Sequence, residues 1–310
     1  MTDIVIPEFM DAEAVDALAA DFAVLYDPAL VDRPDELLAA VAEARALIVR
    51  NRTQVRGALL ERAARLRAVG RLGVGLDNID VAACQARDIA VLPATGANDI
   101  SVAEYVVAGL LMLLRGAYHA SADVAAGDWP RTRLIGREAA GLALGLIGFG
   151  AIARAVAKRA VALDMRVVGH DPYLDAESPV WMEHGAAPAA LDRLLADCDV
   201  VSLHVPLTDA TRHLIDAAAI AKMKPGAVLI NAARGGVVDE PALVAALRDG
   251  HLGGAMLDVF EREPLAAGAD FSDVPHLLLT PHIAGVTEQS NRRISRLIAA
   301  NVRRVLEAPE

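Results

Sequence analysis

The sequence predicts an α/β fold of two doubly wound parallel-sheet domains with a cleft between them. Apolar runs of strand length alternate with helical segments along most of the chain. The alternation comes in two series, separated by a long helical segment. At the head of the second series a glycine-rich turn leads from a strand straight into a helix, as in sheets that bind nucleotides.

The first series comprises Asp3–Ile6, Phe22–Tyr26, Ala46–Arg50, Ala68–Gly73 and Ile89–Leu92, with Ala/Leu/Glu/Arg-rich stretches of helical spacing between them. Ser101 to Arg115 reads as the separating helix, with Ser101 and Glu104 spaced as a capping box. The second series runs through Leu142–Ile147, Arg166–His170, Asp199–Val205, Ala227–Ala232, Gly253–Val259 and Leu277–Thr280. Six such strands with intervening helices make a nucleotide-binding domain. A final helix is expected over Thr287 to Glu307.

Composition narrows the function classes. The 310 residues fit two domains, and 55% hydrophobic against 23% charged residues fits a sizeable core. With 41 acidic and 30 basic residues the net charge is −11, which argues against nucleic-acid or anionic-membrane partners. An anionic ligand must therefore be met by a local cluster of arginines. Cys84 and Cys198 are too few for a disulfide framework and have no metal-binding spacing. The opening Met-Thr-Asp-Ile-Val-Ile-Pro reads as a strand rather than a leader. The uncharged run from Ala139 to Ala153 contains four glycines and is too short for a bilayer. A cytoplasmic protein is expected.

Gly145-Leu-Ile-Gly148-Phe-Gly150-Ala-Ile-Ala153 carries the nucleotide reading. Gly148 permits the tight turn, Gly150 lets a pyrophosphate approach the backbone, and Ala153 is small enough for helix–strand packing. The amides of Ala151 and Ile152 point at the phosphates with the helix dipole behind them. Asp171 lies 21 residues past Gly150, just after the next strand. An acid there hydrogen-bonds a ribose 2′-hydroxyl and repels a 2′-phosphate, and Pro172-Tyr173 bring no arginine. NAD is favoured over NADP.

Three later stretches supply chemistry: Asn231-Ala-Ala-Arg234-Gly-Gly, Leu257-Asp-Val-Phe-Glu-Arg-Glu263-Pro264 and Thr280-Pro-His282-Ile-Ala-Gly285. Each follows a strand, and the carboxyl ends of parallel strands converge on one crevice. Arg234 can fork onto a carboxylate. His282 can carry a proton near neutral pH, and Glu263 can hold its tautomer and favour its charged form. His204, also at a strand end, is the rival histidine, and Glu261 the rival acid.

Together with Arg71-Leu-Gly-Val-Gly75-Leu-Asp-Asn-Ile-Asp80 and Ser101-Val-Ala-Glu104, these motifs make the chain resemble the D-2-hydroxyacid dehydrogenases nearly end to end. Members of that family reduce 2-keto acids with a nicotinamide cofactor. The resemblance implies Rossmann-like and flavodoxin-like domains: a discontinuous substrate-binding domain of residues 1–98 plus 286–310, and an NAD-binding domain of residues 99–285. It also implies a homodimer. On the matching positions Arg234 is the carboxylate anchor, His282 the general acid/base and Glu263 its partner, and spacing from Asp258 selects Glu263 over Glu261. The same resemblance puts Val74 and Gly75 at the substrate. It puts Val205, Ala232 and Asp258 at the cofactor, where Asp258 would reach the carboxamide or else cap the next turn. Ala151 departs from the pattern, since many members carry an arginine there.

The segment Arg50-Asn51-Arg52-Thr53-Gln54-Val55-Arg56 follows a first-domain strand, and in the family this loop contacts substrate. Three arginines in seven residues of an acidic protein suit a second anionic group. With Arg234 on the carboxylate, Arg50 or Arg52 would take the other charge, as in 3-sulfolactate or 3-phosphoglycerate. The competing expectations are a glyoxylate/hydroxypyruvate reductase and, from another class, a NAD-sensing corepressor-like protein.

Overall fold

A computed structural model describes residues 2–268 and 270–308. The chain divides into two compact units, one of Met1–Asn98 with Val286–Glu310 and the other of Asp99–Gly285.

In the first unit β1 (Ile4–Ile6), β2 (Val24–Tyr26), β3 (Ala46–Val49), β4 (Ala68–Arg71) and β5 (Ala90–Pro93) form a parallel sheet of order β2-β1-β3-β4-β5. All four residues of β3 are buried. Ala46 and Ile48 pack into one core with Ile4, Ile6 and Ala68, while Leu47 and Val49 pack into another with Val5 and Val69. Burial on both faces explains why these strands read as continuous apolar runs rather than alternating ones. The closing helix, Glu288–Glu307, covers one face through Ile294, Ile298 and Val302. Thr287 caps it, accepting from the Ser290 backbone N–H while the Ser290 hydroxyl takes the Thr287 N–H.

In the second unit the strands are β6 (Ala143–Ile147), β7 (Arg166–His170), β8 (Ala186–Pro188), β9 (Val200–Leu203), β10 (Ala227–Asn231), β11 (Leu252–Leu257) and β12 (Leu277–Leu279). They form a parallel sheet of order β12-β11-β10-β9-β6-β7-β8. Leu144, Leu146, Val200, Val228 and Ile230 face one core, and Ile147, Val201, Leu203 and Leu229 the other. The order reverses at β6, and β9 and β6 start connections that leave in opposite directions. Ligands bind beside such a switch point, outside the carboxyl ends of the strands.

Two expectations are corrected. The second sheet has seven strands, because Ala186–Pro188 adds a three-residue edge strand whose proline is tolerated at the sheet margin. The helix assigned to Ser101–Arg115 spans Asp99–Arg115, so Ser101 lies buried within its first turn and is not its N-cap. An acid at position 99 already complements the helix N-terminus, and Glu104 is drawn instead to Arg159, at 3.2 Å. No helix among the described residues is long and apolar enough to cross a membrane. Cys84 and Cys198 are buried free thiols.

Candidate active site

The strands β10, β11 and β12 are adjacent, and their last residues align, Asn231 with Leu257 and Leu257 with Leu279. The loops that follow therefore leave the sheet at one level. Register alone thus brings together three stretches that are far apart in sequence.

The loop after β10 is shaped by Asn231, which is buried. Its Oδ1 accepts from the Ala233 N–H at 3.1 Å, and its Nδ2 donates to the Arg234 carbonyl at 2.9 Å. The Arg234 side chain curls back so that Nη1 donates to the Ala233 carbonyl at 2.6 Å. Gly235 then passes so near the next loop that a Cβ would lie 1.7 Å from the Phe260 carbonyl oxygen. The loop bearing Arg234 and the loop bearing Glu263 are in backbone contact.

Glu263 is oriented from both sides. Its Oε1 accepts from the Phe260 N–H at 3.1 Å, and its Oε2 meets His282 Nδ1 at 2.7 Å. A carboxylate can only accept, so Nδ1 carries the proton and Nε2 is the nitrogen left for proton exchange. Burial pushes the Glu263 carboxyl up, but the His282 hydrogen bond and charge, the Phe260 amide and the Arg234 cation outweigh it. The net shift is downward. Glu261 is spoken for elsewhere, paired to His213 Nε2 at 2.9 Å. Geometry thus selects Glu263, as spacing does.

His282 has a φ of +55°, a left-handed conformation uncommon for a residue with a side chain. Asp258 holds it there. This buried carboxylate accepts from Ile283 N–H and Ala284 N–H at 2.8 Å and from the Thr280 hydroxyl at 2.6 Å, and its carbonyl accepts the His282 N–H at 2.8 Å. Of the two readings of Asp258, the geometry displays the capping one. His204 is neutral throughout the physiological range, burial having pushed its pKa down to about 4, and its Nε2 lies 3.0 Å from the Ser202 hydroxyl.

The glycine turn fits a dinucleotide. Gly148 has a φ of +85°, and a Cβ on it would lie 2.6 Å from the His204 carbonyl oxygen, with Val205 flanking it at 3.0 Å. Only glycine is accommodated there. Gly150 precedes the helix Ala151–Val161 in extended conformation, and a Cβ on it would meet nothing within 4 Å. The backbone at the helix N-terminus is therefore open to approach, with Ala151 exposed and Ile152 half-buried, while Ala153 is packed in the core. Asp171 is fixed beside this turn, its Oδ2 accepting from the Phe149 N–H and its Oδ1 from the Tyr173 N–H, each at 2.9 Å. Each oxygen keeps a lone pair that a ribose hydroxyl can use. Ala232 is half-buried just past β10.

In the first unit, the arginine-bearing loop is held by residues that sequence reasoning did not single out. The buried Glu8 carboxylate accepts from the backbone N–H groups of Arg50, Arg52 and Thr53 at 2.9, 3.1 and 3.1 Å. Asn78 Nδ2 donates to the Arg50 and Thr53 carbonyls at 3.1 and 2.7 Å. The Arg50 guanidinium donates to Asn291 Oδ1 at 3.1 Å and lies 5.6 Å from the Phe9 ring centroid. Arg52 forms an exposed ion pair with Asp32. Val74 and Gly75 lie in the loop after β4, exposed and half-buried respectively. Glu8 and Asn231 had a usable signal, a polar residue at or just past the end of an apolar strand. Asn78 had none.

Comparison with known proteins agrees with this architecture. Residues 107–284 match the NAD binding domain of D-isomer specific 2-hydroxyacid dehydrogenases. The chain is 58% identical over 306 residues to an (S)-sulfolactate dehydrogenase of Chromohalobacter salexigens, covering 99% of each. It is 39% identical to a D-3-phosphoglycerate dehydrogenase of Methanocaldococcus jannaschii, covering 88% of this chain but 52% of that one. The crystal structure of an Aquifex aeolicus D-lactate dehydrogenase complexed with NAD and lactic acid superposes with a TM-score of 0.84. It is 28% identical, with coverage of 98% of this chain and 96% of that one. The chain belongs to the D-isomer specific 2-hydroxyacid dehydrogenase family and is an NAD-dependent oxidoreductase of 2-hydroxy acids.

Proposed function

We propose that the protein oxidises (S)-sulfolactate to the 2-keto acid, and runs the reverse reduction, with Arg234, His282 and Glu263 as its reacting groups. The observation that carries the chemistry is the 2.7 Å contact between His282 Nδ1 and a Glu263 carboxylate that also feels the Arg234 charge. In the reduction, the Arg234 guanidinium holds the substrate carboxylate, aided by the amides of Val74 and Gly75. His282, charged and steadied by Glu263, gives the Nε2 proton to the carbonyl oxygen. Bound NADH supplies the hydride to C2. Asp171 takes the ribose hydroxyls, and the amides of Ala151 and Ile152 take the pyrophosphate, with Val205 and Ala232 alongside. Ala151 contributes no cation, so the helix N-terminus carries that part of the binding.

The substrate rests on the full-length similarity to the sulfolactate enzyme and on the arginine loop. Arg50 is the better anchor for the sulfonate. Its guanidinium donates to a neutral amide and lies by an aromatic ring, with the Glu8 carboxylate acting on it only through space, whereas Arg52 is paired directly with Asp32. Arg52 then adds longer-range attraction.

The test is NAD reduction with (S)-sulfolactate, 3-phosphoglycerate, D-glycerate and D-lactate, and NADH oxidation with glyoxylate and hydroxypyruvate. The expected outcome is the highest kcat/KM for sulfolactate. Equal values for sulfolactate and lactate would remove the second anion from the reading. Bound NADH without turnover of any acid would favour a sensor.

We also infer a homodimer acting in the cytoplasm. Tyr118, Val124, Trp129 and Ile135 are all exposed on one short segment of the second unit, Trp129 at 74% and Ile135 at 77%. Exposed apolar side chains so close in sequence support a surface covered by a second copy. Sedimentation of wild type and Trp129→Glu tests it, a monomeric wild type being the adverse result.

A further inference from the structure

We infer that Tyr105 and Thr280 are positioning residues that aim His282 through the buried Asp258 carboxylate. This rests on the assignment of His282 as the proton donor.

Tyr105 lies on the helix Asp99–Arg115, and its hydroxyl contacts Thr280 Oγ1. Thr280 Oγ1 in turn donates to Asp258 Oδ1 at 2.6 Å. A threonine hydroxyl has one proton, and here it goes to a carboxylate, so Tyr105 must be the donor to Thr280. Burial, opposed by the Thr280 hydrogen bond, raises the phenol above its ordinary range and keeps that proton in place. A directed series follows: Tyr105 O–H to Thr280, Thr280 O–H to Asp258, with Asp258 also gathering the amides of Ile283 and Ala284.

The series brackets His282. Thr280 is two residues before it and is tied to β11 by its own N–H, which donates to the Leu257 carbonyl at 3.0 Å. Ile283 and Ala284 follow it directly. Between these ties the histidine sits at a φ of +55°. A non-glycine residue persists in that region only where its surroundings over-determine it. Here one carboxylate fixes both sides of the residue, and the two hydroxyls fix the carboxylate. β12 cannot do this alone, because it is three residues long and lies at the sheet edge. The charged groups around the turn are Asp258 beneath it, Glu263 at Nδ1 and Arg234, acting on Glu263.

Loosening the turn should misplace the imidazole against both substrate and Glu263, and a shift of ~1 Å is enough to cost up to about a hundredfold in rate. Tyr105→Phe removes one hydroxyl and keeps the ring, Thr280→Val removes the other at equal size, and Thr280→Ser keeps it. The readouts are kcat and KM for the substrate, and NADH affinity by fluorescence titration without substrate. The expected result is a kcat about tenfold lower in Tyr105→Phe and Thr280→Val. The loss should fall on kcat, with KM for the substrate close to the wild-type value. NADH affinity should stay at the wild-type value, and Thr280→Ser should recover most of kcat. Wild-type kcat in both variants would overturn the inference, as would a Thr280→Ser protein as impaired as Thr280→Val. His282→Ala, assayed alongside, separates the two layers of the argument. If it remains active, the proton-donor assignment falls. If it is dead while Tyr105→Phe is unaltered, only the positioning role falls.

Discussion

Gly235→Ala tests whether the backbone contact between two loops sets the spacing of the reacting groups. The added Cβ would meet the Phe260 carbonyl oxygen at 1.7 Å, the Phe260 carbonyl carbon at 2.1 Å and the Glu261 nitrogen at 2.8 Å. All three are backbone atoms, so no side chain can rotate out of the way. Ordinary contact begins near 3.4 Å, and the loops must part by an ångström or more to reach it. That motion carries Arg234 away from Glu263 and changes where the proposed carboxylate anchor sits relative to the His282 ring. A misplacement of ~1 Å costs about a hundredfold in rate, and forced overpacking destabilises by roughly 1–3 kcal/mol. Steady-state kinetics on the 2-keto acid, with thermal unfolding in parallel, should show kcat/KM down by about two orders of magnitude and a Tm lower by a few degrees. A folded variant with wild-type kcat/KM would refute the claim that this contact positions the site.

Gly150→Ala should fold as well as wild type, since its Cβ meets nothing within 4 Å, yet bind NADH more weakly in a fluorescence titration, because the methyl occupies the approach to the helix N-terminus. Undiminished affinity would put the pyrophosphate elsewhere. His282→Ala should lower kcat by ~10²–10⁴ while NADH still binds; a mild loss would remove it from the mechanism. Reduction should decline with rising pH and oxidation improve, because each reduction of the 2-keto acid takes up a proton. Glu263 adds no limb near neutrality. Its lowered pKa means that its contribution to stability is present above the ordinary carboxyl range and is lost only as the pH falls through the lowered value. A reduction rate that rises from pH 6 to pH 9 would contradict this. Asp171→Ala should weaken NAD and narrow the gap to NADP, measured as the ratio of the two kcat/KM values. An unchanged ratio would turn Asp171 away from the ribose. Arg50→Ala should cost more than Arg52→Ala in kcat/KM for sulfolactate, and neither should much affect lactate. The reverse order would show that Asp32 releases Arg52 to the substrate.

Much of the fold was legible because parallel strands buried on both faces are apolar throughout, as in Ala46-Leu-Ile-Val49. The edge strand Ala186–Pro188 carries no such run, since an edge strand buries less and can include a proline. The residues proposed to do the chemistry, such as Arg234 and His282, stand out because an arginine between small residues and a histidine after a strand have few structural uses. The residues that hold them were harder to see. Thr280 and Tyr105 are ordinary choices for a strand end and a helix, and only the folded chain reveals that they meet across 175 positions. Ser101 and Glu104 illustrate the opposite error, a local motif that matched a capping box until Glu104 found Arg159 on another helix.

The arginine loop has its own anchorage. Glu8 and Asn78 grip the main chain of Arg50 to Thr53 rather than its side chains, so much of the anchorage of the loop does not depend on which side chains it displays. Arg234, Glu263 and His282 belong to the other compact unit, which has a core of its own. On the roles proposed above, substrate preference and bond-making are written in separate parts of the chain. A lineage, or an engineer, can replace Arg50 and Arg52 to suit a different acid without disturbing the histidine, its glutamate or the cofactor turn. The proposed catalytic unit could in this way serve many acids, with the variation confined to a few positions on a loop held largely by its backbone.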